Sequence, residues 1–206
     1  MAEGPPTRAA TRRRGRQAGD TSFDPPVLNL PWRVAEPGLP WLARFEGPRS
    51  GDLPDINVWL ALAVQEHPHH QAALRYWTTS QTERTRDGAA TAHAGAGPTL
   101  WFCRITMLGL VRLLCQPKAV GPGALDSLSA WTLYAQYRAL PHIGLLPEPE
   151  NCDDALRALV GSGPLPPRLW ADAYLAALSV SAGLRLVTFD RDFERFGLER
   201  CLILES

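Results

Sequence analysis

The chain has 206 residues, with 21 basic and 21 acidic side chains and a formal net charge of zero. That length accommodates one ordinary domain plus a tail. Balanced charge excludes polyanion binding argued from global charge, leaving only a local basic surface as a route to nucleic acid. No apolar run approaches the roughly 18 residues of a membrane span, and the polar, Pro/Gly-rich start lacks a signal-peptide core. The expectation is a cytoplasmic protein with no membrane contact. Cys103, Cys115, Cys152 and Cys201 are widely spaced and form no CxxC pair. Neither a zinc knuckle nor a disulfide framework is indicated, and Cys103 and Cys115 read as small core residues.

Residues 1–52 differ from the rest. Arg8, Arg12, Arg13, Arg14 and Arg16 cluster, and Pro25, Pro26, Pro31, Pro37, Pro40 and Pro48 follow. No helical or strand periodicity survives such punctuation, so the segment reads as a flexible Arg/Pro-rich extension. Trp32, Trp41, Leu42 and Phe45 give it an adhesive patch.

The organised chain begins at residues 53–64, LPDINVWLALAV. A short strand over 53–56 leads into a helix over 57–65. Pro54 has no N–H to give a ladder, so the strand must be brief. A second helix is expected over about 70–80. His67, His69 and His70 precede it; without a carboxylate or cysteine at ligand spacing they read as a solvated helix start, not a metal site. Residues 82–98 read as a low-complexity surface loop. A strand at 99–103 is followed by Thr106 as the N-cap of a helix reaching Cys115. A helix over 127–139 offers Leu128, Trp131, Leu133 and Tyr134 to the core. Then come a strand at 143–146, a short helix at 153–160, and a long Ala/Leu-rich helix over 169–182 with Gly183 past its end. A strand at 185–188, a short helix at 192–196 and a strand at 202–204 complete the pattern.

Alternating strands and helices predict an α/β fold for 53–206, a mostly parallel five-stranded sheet in a three-layer α/β/α sandwich. No glycine-rich phosphate loop follows the first strand, and no GxSxG elbow or Ser-His-Asp arrangement appears.

Three aspartates stand out against that frame. Asp55 ends the first strand, Asp190 ends the strand RLVTF, and Asp172 opens the long helix leading into that strand. Each has a plain structural role available as a cap, a dipole partner or a turn residue. In an open parallel sheet, however, all three locations converge on one edge. Clustered carboxylates repel unless a cation neutralises them, and an all-oxygen set suits Mg²⁺ or Mn²⁺. Hydrolysis of a phosphodiester is the chemistry that fits. Asn57 is placed to orient a carboxylate or water, Asp192 to supply a further oxygen or cap the next helix, and Thr188 to bond phosphate.

LPDINVWLALAV, RITMLGLVRL at 104–113, WADAYLAALSVSAGLRLVTFD at 170–190 and the DRDF that follows together resemble PIN-domain ribonucleases, in particular VapC-type toxins. The resemblance covers 53–204. It implies that Asp55, Asp172 and Asp190 bind Mg²⁺ or Mn²⁺ and catalyse RNA cleavage. It also implies a homodimer silenced by a cognate antitoxin. The family's second acid would fall at Gly109, where a subgroup reads TxxGxxR, here Thr106, Gly109 and Arg112. Arg112 is then either a helix residue paired with an acid or a phosphate and transition-state contact. The missing acid also leaves a second reading open, a non-catalytic PIN-like protein that binds RNA or a partner.

Overall fold

Each strand of this protein is short, and the central ones are buried on both sides because helices cover both faces of the sheet. In the computed structural model, which describes Met1 and residues 51–90, 97–161 and 163–205, the elements follow in this order. β1 (Asp52–Pro54), α1 (Ile56–Ala63) and α2 (His70–Ala90) lead to β2 (Leu100–Phe102), α3 (Arg104–Leu114), α4 (Pro117–Val120) and α5 (Ser127–Ala139). Then come β3 (Ile143–Leu145), α6 (Cys152–Val160), α7 (Trp170–Ala182), β4 (Arg185–Thr188) and β5 (Cys201–Ile203). The sheet order is β3-β2-β1-β4-β5, and every pairing is parallel. Most of the expected extension, residues 2–50, lies outside the described residues.

The period-2 alternation of strands sorts the core into two halves. Leu100 and Phe102 join Val58, Trp59, Leu62, Leu110 and Tyr137 on one face. Trp101, Leu53 and Leu186 join Leu175, Leu178 and Phe193 on the other. Trp59 stacks on Phe102 with ring centroids 3.8 Å apart, and Tyr137 meets Trp59 edge-on at 5.4 Å. Apart from Asn57, α1 is apolar all round, with Val58 through Leu62 buried, as a helix enclosed by a sheet and its neighbours must be.

β1 is held at both ends. At its start the guanidinium of Arg185 donates from Nε and Nη2 to the two oxygens of Asp52, each at 2.8 Å, and Tyr76 donates to Asp52 Oδ2 at 2.7 Å. At its end Pro54 pairs with Val187, and the Asp55 N–H donates to the Val187 carbonyl at 2.8 Å. The missing N–H of Pro54 coincides with the end of the strand, and β1 registers with β2 only at Asp52 and Leu100.

Four expectations are corrected. α2 continues to Ala90, so residues 82–90 of the expected loop are helical; no proline interrupts them, and a helix once begun propagates. Residues 91–96 of that loop lie outside the described residues. α3 begins one turn early, with Cys103 as N-cap and Thr106 at the third helical position, its hydroxyl accepting from the Cys103 N–H at 2.9 Å. On α5, Leu128 and Trp131 are exposed, and the buried stripe is Ala130, Tyr134 and Tyr137 at helical spacing. The histidines do not form a solvated start. His70 is buried with Nδ1 2.7 Å from the Ala61 carbonyl, and His69 stacks on Phe189 at 4.5 Å.

Gly109 has a steric reason. A Cβ built there would lie 2.4 Å from Ile56 Cδ1 and 2.9 Å from Cγ1, so α1 and α3 touch through this glycine. Alanine in a helix is worth about 1 kcal/mol over glycine, whereas overpacking costs roughly 1–3 kcal/mol. We expect Gly109→Ala to destabilise the native chain and to become stabilising when Ile56→Ala accompanies it. Denaturant unfolding of the four-member cycle measures this, and equal effects of Gly109→Ala in both backgrounds would contradict the contact.

Candidate active site

The strand order reverses between β1 and β4, and their C-terminal ends flank the crevice where open α/β sheets bind ligands. Asp55 follows β1 there as the N-cap of α1, and Asp190 stands two residues past β4 as the cap of the turn Arg191–Phe196. Asp172 enters from the first turn of α7. The structure brings these three expected residues close enough for Asp172 and Asp190 to act on Asp55, and for Asp190 to act on Asp172. Asp55 is pushed up to about 6, by burial first and with added repulsion from Asp172 and Asp190. Asp172 is also raised, by burial, then by Asp190 and Asp192, against the opposing charge of Arg168.

Asp55 is held by hydrogen bonds on both oxygens. The Ile56 N–H donates to Oδ1 at 2.6 Å, and the Thr188 hydroxyl donates to Oδ2 at 2.9 Å. Thr188 Oγ1 accepts in turn from Asn57 Nδ2 at 3.0 Å and from the Asp190 N–H at 3.0 Å. A hydroxyl has one proton and two lone pairs, so this one is fully used. Thr188 is completely buried and faces Asp55; it is not available to phosphate as the sequence led us to expect. Asn57 also accepts from the Phe189 N–H at 3.3 Å, so both ends of its amide orient backbone and Thr188.

Asp192 lies beside the cluster, but its Oδ2 accepts from Arg168 Nη1 at 2.6 Å. That partner holds the Asp192 carboxyl below its ordinary range. Arg112 is not brought in. It is exposed in the last turn of α3 and makes no ion pair with Asp55, Asp172 or Asp190. α3 starts where β2 ends, and Arg112 stands about 12 Å further along its axis at 1.5 Å per residue. Sequence reasoning passed over Arg168, whose only signal was its place four residues before Asp172.

Do these residues suit a divalent cation? The donors are carboxylates only, and burial followed by repulsion from neighbouring acids disfavours the ionised forms of Asp55 and Asp172, which a hard cation would relieve. Among the described residues no group of three or more His, Cys, Asp or Glu side chains forms a ready cage. Mg²⁺ does not require one, since it commonly takes one or two carboxylates and completes its shell with water and substrate phosphate. The set fits an open site of that kind.

Acids gathered at the switch point of a parallel sheet are one feature of the chain, and comparison with known proteins supplies its family. Residues 53–198 match the PIN domain, and the chain belongs to the PIN-domain family. Ribonuclease VapC41 of Mycobacterium tuberculosis is 34% identical over 147 residues, covering 69% of this chain and 91% of that protein. Ribonuclease VapC38 of the same organism is 33% identical over 137 residues, 66% of this chain and 82% of that protein. The crystal structure of Mycobacterium tuberculosis VapC20, a Sarcin-Ricin loop cleaving toxin, aligns with 75% of this chain and 100% of its own. Its TM-score of 0.47 and 16% identity are too low to bear on fold or target. Within the family the chain belongs with the VapC-type ribonucleases.

Because the folded-state pKa of Asp55 lies above its ordinary 3.8, the neutral form is favoured by folding. The associated stability is complete below pH 3.8 and is lost as pH rises through about 6. The shift corresponds to about 3 kcal/mol. In EDTA, thermal stability is therefore expected to fall across that window, and Mg²⁺ to restore it at neutral pH. Melting curves of the metal-free chain at stepped pH test this; a profile unchanged by Asp55→Ala would contradict the assignment.

Thr188→Val keeps the shape but removes the donor to Asp55 and the acceptor for Asn57 and Asp190. We expect a loss of roughly 1–3 kcal/mol per buried group left unpaired, and an upward shift in the acid limb of the pH–activity profile. Thr188→Ser should restore both, and a normal profile in the valine variant would show that Thr188 does not set the state of Asp55.

Proposed function

We propose that this chain hydrolyses RNA phosphodiester bonds at the β1/β4 edge, with Asp55, Asp172 and Asp190 holding Mg²⁺, or Mn²⁺ in its place. The observation that carries the reading is the placement of Asp55 and Asp190 just past the ends of the adjacent strands β1 and β4, with Asp172 in the first turn of α7. Water adds to phosphorus, the bond to one ribose oxygen breaks, and that oxygen takes up a proton. When bound, the cation supplies positive charge against the phosphodiester and makes the attacking water more acidic.

The chain's own groups provide placement. The Ile56 N–H and the Thr188 hydroxyl fix the plane of the Asp55 carboxylate, so its remaining lone pairs have one direction. Asn57 and the Asp190 N–H fix the hydroxyl of Thr188, and the Asp192 N–H donates to Asp190 Oδ1 at 2.8 Å. Preorganised donors and carboxylates of this kind need no rearrangement when the reaction occurs. Asp172 sits half-buried in the first turn of α7.

The remaining features of the proposal accord with the VapC type. The partner is a cognate antitoxin, the assembly a homodimer and the compartment the cytoplasm. No helix among the described residues is long and apolar enough to cross a membrane. Leu128 and Trp131 on α5, exposed at 76% and 50%, give a protein contact its apolar surface. One observation favours the alternative of a non-catalytic RNA or partner binder: Ile56 occupies the space beside Gly109, where the second acid would stand.

Cleavage of total RNA separates the two. The enzyme reading expects Mg²⁺-dependent cleavage that stops in EDTA and falls by at least about 10²-fold in Asp172→Asn, in the range seen when electrostatic groups are removed from active sites. A binder would retain RNA in EDTA and hold it more tightly once a carboxylate is neutralised. Absence of metal-dependent cleavage at any protein concentration overturns the enzyme reading.

A further inference from the structure

We propose that Arg168 is the phosphate contact of this active site, and that Asp192 is its positioning residue and not a metal ligand. The inference rests on the nuclease reading above and adds the group that receives the polyanion.

Arg168 lies in the turn Pro167–Leu169 that immediately precedes α7. Pro166 and Pro167 restrict the backbone before it, and Leu169, 1% exposed, anchors the turn in the core. Four residues on, in the first turn of α7, is Asp172. Asp192 stands two residues past Asp190, in the turn after β4. The 2.6 Å bond between Arg168 and Asp192 therefore spans the mouth of the site, from the element carrying Asp172 to the one carrying Asp190.

A site of three carboxylates repels the phosphate backbone it must accept. Arg168 is a cation at the rim able to counter that repulsion. Its side chain is 67% exposed, and one of its five N–H donors is engaged by Asp192. The rest of the fork faces solvent, in the planar geometry that matches phosphate oxygens bidentately. An exposed ion pair contributes little to stability. Asp192 instead sets the direction of the guanidinium. An oxygen bonded to a guanidinium at 2.6 Å is also poorly disposed to serve a metal.

The test uses the full chain. Mg²⁺-dependent cleavage of total RNA by the unaltered protein first checks the nuclease reading on its own. Binding of fluorescein-labelled fragmented total RNA is then measured by anisotropy in an Asp172→Asn background at several salt concentrations. Mn²⁺ affinity is measured by electron paramagnetic resonance on chains whose acids are otherwise intact. Arg168→Ala should weaken RNA binding about tenfold and reduce the slope of log K against log salt by about 0.7, one phosphate contact on a single strand. Arg168→Lys should recover most of the slope. Asp192→Asn should weaken RNA binding less while leaving Mn²⁺ affinity unchanged. An unchanged slope in Arg168→Ala overturns the contact, and a tenfold loss of Mn²⁺ affinity in Asp192→Asn overturns the positioning role. Should Arg168→Ala fail to fold, Arg168→Gln is read for the same slope.

Discussion

The active edge depends on one buried hydroxyl. Thr188 Oγ1 donates to Asp55 and accepts from Asn57 and from the backbone of Asp190, which exhausts its bonding capacity. Four pieces of chain meet there: the end of β1, the first turn of α1, the end of β4 and the turn beyond it. The arrangement follows from strand register. Pairing of Pro54 with Val187 sets the Asp55 N–H on the Val187 carbonyl, and Thr188 then falls beside the Asp55 carboxylate. A slip of one residue would turn Thr188 to the opposite face and leave Asp55 with the Ile56 N–H alone.

The two ends of β1 use the same chemistry to opposite effect. At the start, Asp52 is buried and neutralised by the Arg185 fork and the Tyr76 hydroxyl, so its charge is satisfied within the fold. At the other end Asp55 is equally buried, but its neighbours include two more acids, and Arg168 is attached to Asp192 at the rim. The fold is electrostatically closed at one end and left short of positive charge at the other. That imbalance works against the stability of the chain, and it marks the edge at which we propose a cation and a phosphodiester bind.

Packing explains the missing second acid better than chemistry does. Gly109 lets α3 approach α1 until Ile56 fills the gap, and Ile56 directly follows Asp55. A longer side chain at Gly109 would press on the first turn of the helix that Asp55 caps. The backbone position of Asp55 and the glycine are therefore coupled through one isoleucine side chain.

Much of the architecture was legible from periodicity and punctuation. Alternating strands and helices set the sheet type, Pro54 shortened β1, and the Ala/Leu text before Gly183 marked α7; Gly183 indeed ends it in the left-handed conformation, φ 67°. The convergence of Asp55, Asp172 and Asp190 was also legible, because strand ends in a parallel sheet share an edge. Other features were not. The inward turn of Thr188 depends on a partner 133 residues away, and the capture of Asp192 by Arg168 on one 24 residues away. The exposure of Leu128 and Trp131 depended on which stripe of α5 met Phe102 and Trp59. By itself the sequence determined which elements form and which end of the sheet holds the acids, since both follow from local spacing and chain order. Only the tertiary structure decided which polar groups hold those acids and which cation stands beside them, because hydrogen-bond partners distant in sequence are chosen by register and packing.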